Sequence, residues 1–382
     1  MILSKGAETG THVPVPALIV LKMKKLILIF TLVVAISLVL GCIGSQGNEQ
    51  TNTSMTPQET AAENQTLPNQ TSVPIVKFEG RYIDVHTHIM PSGMSLGEVI
   101  QNMDAEGIDI MVIMKPPASV DETPQSDFGV PDAAEQYPDR FIALYGGEAI
   151  TMLESAATSG SYTKADEEEY TALLENEMKS GKYRGFGEIG LRHYVDSSNE
   201  KRTSTAYDLT IPGDHPWMFI MSDIAAKYDV PIDIHMEARD DTIQGLENLL
   251  DYNKNTKIIW DHASWSSINK EGLTYSDKAT PELISQLMEK HSNLYSSIKI
   301  KKENSNSTIY IFNDNLEITS EWMALFEKYP DRFMIGSDIK PGIINNNEFL
   351  AIKANREFLE QLPSEIMKAF ERDNAIELFK IN

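Results

Sequence analysis

Ile83-Asp84-Val85-His86-Thr87-His88 alternates apolar and polar side chains at every second position, the period of a β-strand. The alternation predicts that His86 and His88 share one face and can reach a single ion, with Asp84 one layer deeper and Val85 packed outward. Two histidines at this spacing are also compatible with a pair of satisfied structural side chains. Their meaning depends on what the rest of the chain brings beside them.

Further short apolar or β-branched runs follow this one. They are Ile108 to Met114, Phe141 to Gly147, Arg184 to Ile189, Pro231 to Met236, Lys257 to Ala263, Leu294 to Ile300 and Phe333 to Ile339. With Tyr82 to His88 they recur at intervals of roughly 36 residues, the length of one β/α unit. Between them, Leu96 to Glu106, Glu167 to Lys179, Trp217 to Tyr228, Thr242 to Tyr252, Pro281 to Lys290 and Ser320 to Tyr329 set apolar residues three or four apart, as amphipathic helices do. No Gly-rich phosphate loop marks an open doubly wound sheet. The expected α/β fold is therefore a (β/α)8 TIM barrel over residues 80–382. Pro363 opens a last helix through Ile366, Phe370, Ile376 and Phe379, expected to pack on the barrel.

Reactive groups of such a barrel lie at the C-terminal strand ends. Besides His86 and His88, the predicted ends carry Glu188, His235, His262 and Asp338, so five strands deliver nitrogen or oxygen donors. Four of the eight histidines fall at these ends, whereas His12, His193, His215 and His291 fall in predicted loops, helix starts or the leader. Glu188 alone is also compatible with a core carboxylate paired to Arg184. Asp261 has strand parity opposite to His262 and reads as structural, or as an acceptor behind a ligand. The single cysteine, Cys42, excludes a disulfide framework, an iron–sulfur cluster and a thiolate zinc site, leaving N/O ligation for any metal.

The chain resembles the amidohydrolase superfamily, in its amidohydrolase-related ("amidohydrolase 2") group of metal-dependent barrels, over about residues 81 to 380. The resemblance is carried by Ile83 to His88, Tyr137-Pro138-Asp139-Arg140-Phe141, His235 and His262, Phe333-Met334-Ile335-Gly336-Ser337-Asp338, and Asn374-Ala375-Ile376-Glu377-Leu378-Phe379. Gly187-Glu188-Ile189-Gly190-Leu191 is more similar to the TatD-type branch, in which a glutamate on the fourth strand bridges two metals; no lysine stands at that strand end for the carboxylated-lysine alternative. The resemblance implies that His86, His88 and Asp338 hold one ion. It implies that His235 and His262 hold a second or activate substrate, with Glu188 between them.

A divalent ion among neutral imidazoles and a carboxylate makes water a nucleophile near neutral pH without a cysteine or serine. Asp338 is the natural general base, and His262 or a second ion polarises the scissile bond, so Asp338, His262 and Glu188 are the expected catalytic residues. Zinc is the first expectation for the one or two ions, and His/Asp/Glu sites also accept Mn, Fe, Co or Ni. Arg192, His193 and Trp265 are candidate substrate-binding residues. The expected activity is hydrolysis of a small amide, lactone or ester. The alternatives are a one-ion non-oxidative decarboxylase of the same superfamily and a surface-tethered binding protein on a catalytically lapsed barrel.

Composition frames these readings. Hydrophobic residues at 41% and charged residues at 23% exclude a wholly disordered, collagen-like or polytopic membrane chain. A formal charge of −23 argues against nucleic acid as the main partner and speaks to solubility rather than to chemistry; the small-molecule substrate is what the hydrolase reading implies. Met23-Lys24-Lys25 precedes an apolar run, Leu26 to Leu40, and then Gly41-Cys42, a pattern that resembles a prokaryotic lipoprotein signal. As a helix the run would rise about 22 Å, short of the roughly 30 Å hydrocarbon core. Residues 1–42 are thus read as leader and signal peptide, with Met1 or Met23 as the start and Cys42 as the lipidated residue. Residues 43–79 are read as a disordered polar linker. The expected location is extracytoplasmic, held to the membrane by an N-terminal lipid or anchor.

Overall fold

The computed structural model describes residues 81–89, 94–117, 129–160, 162–193, 209–262, 279–300, 311–313, 315–340 and 350–381. Residues 1–80, with the leader, Cys42 and the linker, lie outside the described residues, as does Trp265. Among the described residues no helix is long and apolar enough to cross a membrane.

The strands are β1 (Tyr82–Thr87), β2 (Ile108–Ile113), β3 (Phe141–Ala143), β4 (Phe186–His193), β5 (Leu209–Thr210), β6 (Ile232–Met236), β7 (Ile258–Asp261), β8 (Leu294–Ile298) and β9 (Phe333–Ile335). All but β5 are parallel, in ladders ordered β1-β2-β3 and β4-β6-β7-β8-β9, while β5 pairs antiparallel with the end of β4. Two isolated parallel bridges join the ladders. Tyr145 pairs with Phe186, its N–H donating to the Gly185 carbonyl at 2.9 Å and its carbonyl accepting from Gly187 at 3.0 Å. Thr87 pairs with Ile339, where the Asp338 N–H donates to the His86 carbonyl at 2.8 Å and the His88 N–H to the Ile339 carbonyl at 2.9 Å. The second seam thus stitches a candidate ligand of β1 to one that follows β9. The eight parallel strands are those of a TIM barrel.

The helices are α1 (Leu96–Glu106), α2 (Val130–Gln136), α3 (Gly147–Ser159), α4 (Lys164–Ser180), α5 (Pro216–Tyr228), α6 (Ile243–Tyr252), α7 (Pro281–Lys290), α8 (Ser320–Lys328), α9 (Leu350–Leu359), α10 (Ser364–Lys368) and α11 (Asn374–Phe379). Local signals set their starts: Ser95 with Glu98 and Thr163 with Asp166 form capping boxes at α1 and α4. Thr280 caps α7 ahead of Pro281. The predicted C-terminal helix is present as α10 and α11 joined through a π-helical turn, Ala369–Asp373. The run expected as strand from Phe141 to Gly147 ends at Ala143. Gly147 instead opens α3, with φ of 43° and a position where a Cβ would lie 2.1 Å from the Lys115 carbonyl oxygen.

Ile83, Val85, Ile110, Val112, Leu144, Ile259 and Met334 come from around the ring yet form one buried cluster with Ala375, Leu378 and Phe379 of α11. They are the barrel interior, plugged by the last helix. Val85 therefore faces inward, contrary to the simple alternation. The cause is a one-residue slip in the β1–β2 ladder, where Asp84 pairs with Met111 but Thr87 with Ile113. Asp84 is opposite Met111 and accepts from the backbone N–H of His86 (3.3 Å) and Ser337 (2.9 Å).

Gly336 sits where β9 meets β1: a Cβ there would lie 2.8 Å from His86 Cβ and 3.3 Å from Ser297 Cβ. Gly336→Ala should cost about 1–3 kcal/mol of unfolding free energy by overpacking, read from urea denaturation. A variant as stable as the parent would contradict the close seam. A second prediction concerns Glu154, buried on α3, whose carboxylate accepts from the Tyr170 hydroxyl at 2.7 Å. Burial outweighs that hydrogen bond and pushes its pKa up to about 8. A raised carboxyl leaves stability intact below its unfolded value near 4.5 and erodes it as pH climbs through about 8. Between about pH 5.5 and 7 the loss should approach about 1.4 kcal/mol per pH unit and level off above about 8. Glu154→Gln should flatten this slope in calorimetric scans; parallel slopes in the two proteins would count against a neutral Glu154.

Candidate metal centre

His86 and His88 lie on and just beyond β1, and Glu188 and His193 on β4. His235 lies on β6, Asp261 on β7, His262 and Lys299 directly after β7 and β8, and Asp338 three residues past the end of β9. His262 (φ 52°) and Asp338 (φ 51°) adopt the left-handed conformation that non-glycine residues rarely take. Each such position costs on the order of 1 kcal/mol, so the surrounding structure must hold it.

The side chains converge. His88 Nε2 lies 3.0 Å from Asp338 Oδ1 and 3.3 Å from Glu188 Oε2. His86 Nε2 lies 3.5 Å from Glu188 Oε2 and 4.0 Å from Asp338 Oδ1. The other carboxylate oxygens turn elsewhere: Glu188 Oε1 is 2.7 Å from His235 Nδ1, and Asp338 Oδ2 is 3.6 Å from His262 Nε2 and in contact with Lys299 Nζ. Beneath His86, its Nδ1 is 3.1 Å from Asp261 Oδ2 and 3.6 Å from Asp233 Oδ2. Ser297 Oγ donates to the second Asp261 oxygen at 2.5 Å. His88 Nδ1 faces the Met114 carbonyl at 3.1 Å, which fixes its ring.

Burial pushes His88, His193 and His262 below the ordinary imidazole value, with the Lys299 charge adding to the effect at His262. At His86 burial works in the same direction, but the Asp261, Glu188 and Asp233 carboxylates outweigh it and hold that imidazole high. Burial likewise favours neutral carboxyls. Even so, His86 and His235 keep Glu188 well below the usual range, and Lys299 and His88 do the same for Asp338. At His235 burial also works against the charge, and the Glu188, Asp338 and Glu237 carboxylates outweigh it; His88 and His262 are thus held neutral beside ionised carboxylates, as a divalent ion requires, whereas His86 and His235 would release a proton on binding one.

The geometry fits such an ion. Ligand atoms each about 2.1 Å from a tetrahedral ion stand about 3.4 Å apart, and the spacings among His86, His88, Glu188 and Asp338 bracket that value. One donor atom from each of His86, His88 and Asp338 lies within 4.8 Å of the others, and the same holds for His86, Glu188 and His262, and for His86, Asp233 and Asp261. His86 Nε2 is fully buried and makes no hydrogen bond, as expected of a lone pair kept for a cation.

All six predicted metal-site residues are therefore brought together. His193, expected in a loop, is the last residue of β4, with Nδ1 2.9 Å from His235 Nε2 and 3.8 Å from Glu237 Oε1. Arg192 is turned to Asp241 at 3.2 Å. Arg184 lines a cavity with Asp109, Phe141 and Phe379 at the strand starts, so it is not the partner of Glu188. Sequence reasoning passed over Asp233 and Lys299. Asp233-Ile234-His235 repeats the Asp-x-His spacing of β1 and could have flagged Asp233, and the strand-end rule applied to cations would have found Lys299.

Among solved structures, a 2,6-dihydroxybenzoate decarboxylase in complex with 2,6-dihydroxybenzoate is similar at 13% identity and a TM-score of 0.47, covering 79% of this chain and all of that one. A probable 2-pyrone-4,6-dicarboxylic acid hydrolase from Acinetobacter baumannii is similar at 15% identity and 0.47, with coverage of 79% and 100%. An amidohydrolase from Burkholderia multivorans follows at 13% and 0.45, with the same coverage. No curated protein sequence matches the chain. A family model described as amidohydrolase matches residues 83–381, nearly the whole described barrel. The chain belongs to the amidohydrolase family of metal-dependent enzymes.

Proposed function

We propose that the protein is a metal-dependent hydrolase of a small amide, lactone or ester. His86, His88 and Asp338 are the ligands of one ion, and His235 and His262, with Glu188 between the two groups, complete a second site. The observation that carries this reading is the split of the Glu188 carboxylate, with Oε2 toward the β1 histidines and Oε1 on His235. A glutamate that bridged two ions, as the resemblance to the TatD-type branch implies for Glu188, would present its two oxygens to two sets of ligands in this way.

The residues present suit this chemistry. A divalent ion, zinc first among the candidates, supplies Lewis acidity that activates water near neutral pH. Asp338, held ionised by Lys299 and His88, accepts the proton of the attacking water and returns it to the leaving group. The oxygen on which charge develops is polarised by the second ion or, in a one-ion arrangement, by a hydrogen bond from His262, which burial holds below the ordinary imidazole value. Glu188 orients the imidazoles of His86, His88 and His235.

A second reading, a one-ion non-oxidative decarboxylase, is favoured by one feature. Both ring nitrogens of His235 face protein groups, Glu188 at 2.7 Å and His193 at 2.9 Å, which suits a single ion on the β1 side. We also infer from Leu26 to Cys42 that lipidated Cys42 anchors the enzyme to the membrane outside the cytoplasm.

Elemental analysis of the purified protein together with a substrate panel tests the assignment. Two ions per chain, one of them lost in Glu188→Ala, with ester or lactone turnover and no carbon dioxide, is the expected result. One ion with carbon dioxide release would replace it by the decarboxylase. His86→Ala should lower metal affinity and turnover by about 100-fold or more; a variant with the parent's metal content would remove His86 from the ligand set.

A further inference from the structure

Packing fixes the plane of the His86 ring but not which of its edges faces which way. The ring is wholly buried and stands T-shaped to those of His88 and His262, at centroid distances of 5.0 and 4.9 Å. A Cβ on Gly336 would lie 2.8 Å from the His86 Cβ, so the base of the side chain has no slack either. An imidazole is nearly symmetric in shape about its Cβ–Cγ bond, and a half-turn about that bond fits the same slot while putting carbon where each nitrogen stands. Only the turn seen here aims Nε2 at Glu188 and Asp338. Shape alone cannot choose it.

Charge can. Asp261 Oδ2 lies 3.1 Å from His86 Nδ1 and Asp233 Oδ2 lies 3.6 Å from it, and none of the three side chains has any exposure. A half-turned ring would show these oxygens a C–H instead. Neither contact is an aligned hydrogen bond, so what holds the edge is the attraction of a buried N–H to buried charge, which a low dielectric strengthens. Asp261 is the nearer of the two, and its carboxylate is itself anchored: Ser297 Oγ, buried on β8, donates to the other oxygen at 2.5 Å. Three adjacent strands, β6, β7 and β8, thus converge on one edge of one ring.

Resting on the assignment of His86 as a metal ligand, we propose that Asp261, anchored by Ser297, is a positioning residue that selects which edge of the His86 ring is presented to the ion. Its carboxylate keeps the ring proton on Nδ1 and so leaves the Nε2 lone pair for the ion. Ser297 acts at one further remove, by fixing the carboxylate that fixes the ring.

Chelator competition for zinc, read on the purified protein and on single variants, tests this. Asp261→Asn keeps the shape and removes the charge, and should bind zinc about 10- to 100-fold more weakly than the parent. Asp233→Asn should weaken binding by less, and Ser297→Ala should fall between the parent and Asp261→Asn. With 15N-labelled histidine, the zinc-loaded parent should show a His86 ring protonated on Nδ1, in a resonance that moves in Ser297→Ala although the ion stays bound. A serine that only fills space would leave that resonance where it is. Parent affinity in Asp261→Asn overturns the inference, as does an equal or larger loss in Asp233→Asn, a His86 ring protonated on Nε2, or an Nδ1–H resonance unmoved in Ser297→Ala. Should Asp261→Asn fail to fold, the Ser297→Ala spectrum decides alone. A parent that takes up no zinc overturns the metal reading and this inference with it, whereas a zinc-binding parent with any of these contrary results overturns this inference alone.

Discussion

Buried ionisable groups are tolerated only when each finds a partner, and this barrel gathers an unusual density of them at one end. His86, His88, Glu188 and His262 are almost wholly excluded from solvent and lie within a few ångströms of one another and of Asp338. Without a cation among them, the desolvation of two carboxylates and of a His86 Nε2 that makes no hydrogen bond would oppose folding. With one, the same donors become a ligand shell and the desolvation is offset by coordination. Much else in the upper half of the barrel follows from this requirement. The β1–β9 seam, the left-handed backbone at His262 and Asp338, and the Asp261–Ser297 contact under His86 all position donors.

The scaffold divides the work by height. Toward the strand starts, Ile83, Val85, Ile110, Val112, Ile259 and Met334 fill the interior and α11 closes it, a region whose role is stability. Above that layer the inward positions become polar. Asp233 and Asp261 form a carboxyl tier that faces His86, and the other donors lie beyond it. The slip in the β1–β2 ladder is what allows one strand to serve both levels, with Val85 in the apolar layer and His86 and His88 in the polar one. Gly336 permits the close approach of β9 that carries Asp338 to these histidines.

Much of this was legible in the amino-acid sequence because the signals are local. Short apolar or β-branched runs marked the eight parallel strands, apolar residues three or four apart marked helices such as Leu96 to Glu106 and Pro281 to Lys290, and the strand-end rule collected the six candidate ligands. What it could not supply depends on pairing between distant segments. A bulge changes which face Asp84 and Val85 occupy, and no residue within β1 announces it. The continuation of β4 to His193 depends on its pairing with β5, and the helix at Gly147 on the close packing of that glycine against Lys115. Lys299 was passed over because lysine is not an ordinary metal ligand; its significance appears only once Asp338, separated by 39 residues, stands beside it.

X-ray absorption at the zinc edge of the zinc-loaded protein tests the shared cation most directly. A shell of nitrogen and oxygen neighbours at about 2.0–2.2 Å, with the outer scattering of imidazole rings that weakens in His88→Ala, is the predicted spectrum. A sulfur shell, or a spectrum indifferent to loss of His88, would mean that the metal binds elsewhere and that these side chains converge for another reason.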